Sequence, residues 1–150
     1  MSLQDELDAA FKAALKNQDT LKLSALRMLR TALKNRAVEL RRPLAEPEIL
    51  AVINSQVKQR REAIAEYKRG GRPELAHKEE EELQFLLSFL PAQLSGEALE
   101  QEVAAVIKEL EAHSPEDLGK VMKAAMARLA GRADGKEVNA IARRLLTAST

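Results

Sequence analysis

The chain has 150 residues, enough for one compact unit or two small ones, and carries 24 Lys and Arg against 23 Asp and Glu. With no Cys it has no disulfide framework, thiolate zinc site, iron–sulfur cluster or cysteine nucleophile. Ala and Leu supply 48 residues and Val, Ile and Thr only 16, a balance that favours an all-α fold.

Apolar residues recur at helical spacing almost throughout. Leu3, Leu7, Phe11, Ala14 and Leu15 predict a first helix ending near Asn17. Asp19 is a candidate N-cap for a second helix to about Leu40, with Leu21, Ala25, Met28, Leu29, Ala32, Leu33 and Leu40 on its apolar side. Pro43 and Pro47 bracket the next break, and Pro47 suits the first turn of a third helix bearing Ile49, Ile53, Val57, Ile64 and Tyr67. Gly70 and Gly71 end it, and Pro73 opens a fourth with Leu75, Leu83, Leu86, Leu87 and Leu90 inward. Residues 91–96 read as a linker.

Ser95 is a candidate cap for a helix carrying Leu99, Val103, Val106, Ile107 and Leu110. Ser114-Pro115-Glu116-Asp117 is a capping box before Leu118, Val121, Met122, Ala125 and Leu129. Gly131 closes that helix, and Asp134-Gly135-Lys136-Glu137 forms a second capping box before Val138, Ile141, Ala142, Leu145 and Leu146. The expectation is a four-helix N-terminal part, residues 1–92, and a small three-helix tail, residues 95–150. Residues 1–6 are acidic and lack the basic start and apolar core of a signal peptide. The longest apolar stretch, 83–90, is interrupted by Gln84 and Ser88 and is far short of a membrane span. We therefore expect a cytoplasmic protein with no membrane contact.

The near-neutral total hides a partition: net +5 over residues 1–69, −9 over 70–117 and +5 over 118–150. On the second helix Arg27, Arg30, Lys34 and Arg41 fall within about 60° of one another at about 100° per residue. Such a face is either an ordinary solvated surface or one that contacts several phosphates at once. Lys58, Arg61 and Arg69 make a similar, weaker stripe on the third helix. Arg36 and Arg60 instead fall on the apolar sides of their helices, where pairing with a carboxylate of a neighbouring helix, such as Glu79 or Glu82, is expected.

Catalytic chemistry finds little support. Glu79 to Glu82 are consecutive on a helix and point in four directions, so they cannot converge on a metal. His77 and His113, the only histidines, have no Cys, no second His and no Ser/Asp set beside them. Gly131 to Lys136 resembles a phosphate-binding loop but has three residues between its glycines, where the motif needs four, and Glu137 follows the Lys. Two readings remain for that segment. It is a glycine helix end followed by a cap, or the start of the last helix offers backbone N–H groups, with Arg132 and Lys136, to an anionic backbone. With four aromatics in the chain, nucleic acid would be held by phosphates and shape rather than by base stacking.

Several segments together resemble the YqeY proteins of the GatB/YqeY family. They are Leu26 to Asn35, Lys58-Gln59-Arg60-Arg61, Gly70-Gly71-Arg72, Leu90-Pro91-Ala92-Gln93-Leu94, Gly119 to Met122, and Gly131 to Asn139. The resemblance runs in order over nearly the whole chain and implies the same four-plus-three helical arrangement. It also implies similarity to the C-terminal region of the B subunit of the glutamine-dependent aspartyl/glutamyl-tRNA amidotransferase, an accessory tRNA-binding part. The large catalytic part of that subunit, a carbon–nitrogen ligase with glutamine as amide donor, has no counterpart here, and no activity is expected of this chain alone.

The expected role is thus non-catalytic tRNA binding in translation. Its contacts are expected at Arg132, Gly135, Lys136, Asn139 and Lys120 in the tail and at Arg27, Arg30 and Lys34 on the second helix. No metal or cofactor is expected. The alternative is a protein-interaction module that docks on amidotransferase subunits or another translation partner.

Overall fold

In a computed structural model the chain is helical: among residues 2–148, which the structure describes, there are seven α-helices, one 3-10 turn and no strand. The chain divides into two compact units, Met1–Leu90 and Pro91–Thr150.

The first unit contains α1 (Leu3–Lys16), α2 (Thr20–Leu40), α3 (Glu46–Arg69) and α4 (Pro73–Leu87). Local chemistry starts each helix. The Asp5 N–H donates to Ser2 Oγ at 3.1 Å while the Ser2 N–H donates to the Asp5 carboxylate at 3.3 Å, a reciprocal box that satisfies two orphan donors. Asp19 Oδ1 accepts from the Lys22 N–H at 3.1 Å and opens α2. Pro47 and Pro73 sit in the first turns of α3 and α4, where a missing N–H costs nothing. Short connections fold consecutive helices back on one another. Gly71, at φ +71°, makes the sharp reversal after α3.

The core of this unit is built from Leu26 and Leu29 of α2, Ile53 of α3 and Leu86 of α4, with Leu3, Leu7 and Ala14 supplied by α1. The apolar side of α2 differs from the expected one. Leu23 and Leu26 are buried, whereas Met28 is 52% exposed and Leu21, Ala32 and Leu40 are only partly covered. Contact with α1, α3 and α4 together selects a broader and rotated arc. Leu15, expected inward on α1, is exposed for the same reason, since Ala14 takes the core position.

Arg60 is 4% exposed and reaches from α3 to Glu79 at 2.9 Å and to the buried Glu82 of α4. Its Nη2 also lies 3.5 Å from Met28 Sδ. The interhelical pairing expected for Arg60 is therefore present. Arg36 behaves otherwise: it is exposed and pairs with Glu39 on its own helix at 2.7 Å. No residue of α2 beyond Leu33 is buried, so Arg36 lies past the core and has no need of a partner across it.

The second unit contains α5 (Gly96–Glu109), a 3-10 turn (Pro115–Asp117), α6 (Leu118–Arg128) and α7 (Gly135–Ala148). It has no aromatic residue. Leu99, Val103, Val106, Val121, Ala125, Leu129, Val138, Ala142 and Leu146 fill its core instead. Ala125 and Ala142 are wholly buried, and alanines at these contacts let the helices approach closely. The expected cap at Ser114 takes the form of the 3-10 turn. The Asp117 carboxylate accepts from the His113 N–H at 3.0 Å and the Ser114 N–H at 3.4 Å, and these bonds hold its pKa below the usual carboxylate value.

Candidate nucleic-acid interface

The eight residues expected to contact nucleic acid fall in different units. Arg27, Arg30 and Lys34 belong to the first, and Lys120, Arg132, Gly135, Lys136 and Asn139 to the second. On α2 the three cations are exposed, and no carboxylate among the described residues pairs with any of them. The Arg30 guanidinium lies 4.1 Å from the centre of the Phe11 ring of α1, which orients it without reducing its charge.

In the second unit the Gly131–Asp134 turn is braced by the stretch that leads into α5. The Gly131 carbonyl accepts from Gln93 Nε2 at 2.5 Å, the Arg132 carbonyl accepts from the Leu94 N–H at 2.7 Å, and Arg132 Nε donates to the Ala92 carbonyl at 3.4 Å. The Glu137 carboxylate accepts from the Gly96 N–H at 3.4 Å and so caps α5. The second capping box is thus divided. Asp134 caps α7 by accepting from the Lys136 N–H at 3.2 Å, and Glu137 caps its neighbour. Arg132 is half-buried with part of its guanidinium committed to this brace, and one N–H at the start of α7 is already satisfied. Both observations leave the turn fewer free donors than its sequence suggested.

The profile of the Yqey-like protein family matches residues 4–146. The chain belongs to this family. A search of curated protein sequences gives no match. Two segments that carried the resemblance, residues 90–94 and 131–139, are now seen to hydrogen-bond to each other, so in this YqeY-like chain part of their pattern is structural.

The outward face of α7 carries Lys136, exposed and unpaired among the described residues, and half-buried Asn139. Arg143, one turn further on, was not singled out in the sequence. It is exposed, and its Nε donates to Asn139 Oδ1 at 2.7 Å. The i, i+4 spacing from Asn139 and the i, i+7 spacing from Lys136 were the available signals. Gly135 lies partly covered at the start of the helix, where an added Cβ would meet Met126 at ordinary contact distance, and Lys120 is exposed on α6. Two arginines of this unit are neutralised: Arg144 pairs with Glu100 at 3.1 Å, and Arg128 with Glu109 at 2.9 Å and Glu102 at 3.6 Å.

Among the described residues no group of His, Asp and Glu could hold a metal ion. His77 is exposed and lies 2.7 Å from Glu81 on its own helix. His113 lines an open, largely apolar groove of about 450 Å³ between the C-terminal ends of α5 and α7, with Ile107, Ala112 and Leu145. No helix is long and apolar enough to cross a membrane among these residues.

Proposed function

We propose that this YqeY-like chain is a non-catalytic tRNA-binding accessory protein that holds RNA by its phosphates. The observation that carries the reading is that Lys136 and Arg143 share one face of α7, and Arg27, Arg30 and Lys34 one face of α2, all exposed and all among the cations with no carboxylate partner in the described residues, beside arginines that are neutralised. Cations whose charge is not spent internally are the ones available to displace counterions from a phosphate backbone.

The aromatic residues support phosphate contact over base stacking. Phe85 and Phe89 pack edge to face at 5.2 Å, Phe11 lies under Arg30, and Tyr67 is half-buried. Three of the four rings are thus engaged within the fold, which leaves little for base stacking. The relation to the accessory region of the tRNA-dependent amidotransferase fits the same reading, in which the chemistry of amide transfer belongs to another protein.

Titration of unmodified tRNA at several salt concentrations tests it. Binding should weaken steeply with salt, and each neutralised contact should lower the slope of log K against log salt by about 0.7–0.9. Absence of binding at low salt, or an affinity unmoved by Lys136→Ala and by the joint loss of Arg27, Arg30 and Lys34, would overturn the proposal. A protein retained from extract after nuclease treatment, with no RNA bound, would point to the docking module instead.

A further inference from the structure

We infer that Arg143 is a phosphate-gripping residue of the α7 face and that Asn139 positions it rather than touching the ligand. This rests on the reading that the chain binds RNA. The Arg143 side chain is exposed, and its Nε–H is held by Asn139 Oδ1 at 2.7 Å. Among the described residues no partner occupies its two terminal nitrogens. A guanidinium fixed through Nε has its orientation set while the Nη pair remains free as a donor fork, which suits a phosphate.

The identity of the orienting group matters. An amide oxygen directs the guanidinium but carries no charge, so the full positive charge remains for a ligand. The neighbouring Arg144 shows the other arrangement, with its charge offset by Glu100 at 3.1 Å. Arg128 is likewise offset by Glu109 at 2.9 Å.

Lys136 lies seven residues before Arg143, two helical turns away and within about 20° of the same face at about 100° per residue. The two cations are therefore separated by about 10 Å along the axis, too far for one phosphate group and suited to two phosphates of a single backbone. The ligand class is a phosphodiester chain, with Asn139 between the two contact points.

The variants separate orientation from charge. Arg143→Ala should weaken tRNA binding by about tenfold and lower the salt slope by about one contact. Asn139→Ala removes no charge, so it should weaken binding severalfold with the slope unchanged. Asn139→Asp should weaken it about as much as Arg143→Ala, because it places a negative charge against the guanidinium. Circular dichroism of each variant checks that α7 is intact. Binding unchanged in Arg143→Ala and Asn139→Asp, with wild-type binding present, overturns the inference alone. Inorganic polyphosphate is the second probe. If the wild type holds polyphosphate but no tRNA, and Arg143→Ala releases it, the RNA reading fails and the fork stands. Binding of neither polyanion overturns both.

Discussion

Arg60 of α3 meets Glu82 of α4 inside the first unit, with side-chain exposures of 4% and 3%. Removing Arg60 leaves the buried Glu82 carboxylate without its counterpart, and removing Glu82 leaves Arg60 with only the partly exposed Glu79, losses of up to about 3–5 kcal/mol. Among the described residues Arg60 Nε and Glu82 Oε1 have no hydrogen-bond partner, so the protein itself satisfies the pair incompletely even when both residues are present. Arg60→Ala or Glu82→Ala should therefore lower the urea midpoint of this unit sharply. The double replacement Arg60→Met with Glu82→Leu should lose much less, because it leaves no buried charge from this pair. Urea unfolding of the three variants decides it, and a double variant as unstable as the singles would contradict the argument.

Glu48 gives a pH-dependent contribution of known sign. Both Arg42 terminal nitrogens lie 2.6 Å from its carboxylate, and the Ala45 N–H donates to it at 2.8 Å. The bonds from Arg42, followed by that from Ala45, lower its pKa from 4.5 to about 2. A folded value below the unfolded one stabilises the fold above the unfolded pKa, and that stabilisation is lost as pH falls from 4.5 towards 2. Carboxyl NMR shifts followed through an acid titration should show Glu48 protonating far below an ordinary glutamate. Arg42→Ala should move it back towards the ordinary value, leaving the Ala45 bond and the weaker influence of the Arg36 charge. A wild-type Glu48 that protonates at an ordinary pH would contradict the pairing.

Gly131 takes φ +75° at the turn between α6 and α7, and its carbonyl accepts the Gln93 amide. A side chain in this left-handed region costs roughly 1–2 kcal/mol. The Gly131→Ala chain should therefore lose about that much stability in the second unit, with amide exchange accelerated around residues 91–96, whose bonds depend on the turn. Exchange unchanged at Leu94, which donates to the Arg132 carbonyl, would show that the brace tolerates the change.

The parts of this structure legible in the sequence are those set by nearby residues. Asp19, Pro47 and Pro73 mark helix starts because a cap or a first-turn proline acts within one turn. The left-handed residues Gln18, Arg41 and Glu111 carried no glycine signal, so the ends near Asn17 and Leu40 were read only from where the apolar stripes stop. Arg60 was legible because it follows Ile49, Ile53 and Val57 on a face that is buried along its length. Arg36 was not, because burial of α2 stops at Leu33, and that depends on where its neighbours end. At the candidate interface the exposure of Arg27, Arg30 and Lys34 followed from helical spacing. The bracing of residues 131–134 by 92–94 did not, since those hydrogen bonds join positions about forty apart in sequence. The Asn139–Arg143 bond spans only four residues, but its significance depends on Arg144 and Arg128 being neutralised from α5.

The two cores predict separable stabilities. Leu29 belongs to a cluster drawn from residues 3–90, and Leu99 to one drawn from residues 94–146. Each is wholly buried, so truncation to alanine should cost about 2–5 kcal/mol through lost burial and the cavity left behind. In Leu99→Ala that cost should fall on amides of residues 91–148, whose slowest exchange should accelerate by at least about thirtyfold, at roughly 1.4 kcal/mol per factor of ten. Amides of residues 2–90 should keep their wild-type rates, and Leu29→Ala should give the converse pattern. Hydrogen exchange followed by NMR reads both units in one sample. Acceleration of both units by either substitution would mean that they open as one cooperative body, contrary to their separate cores.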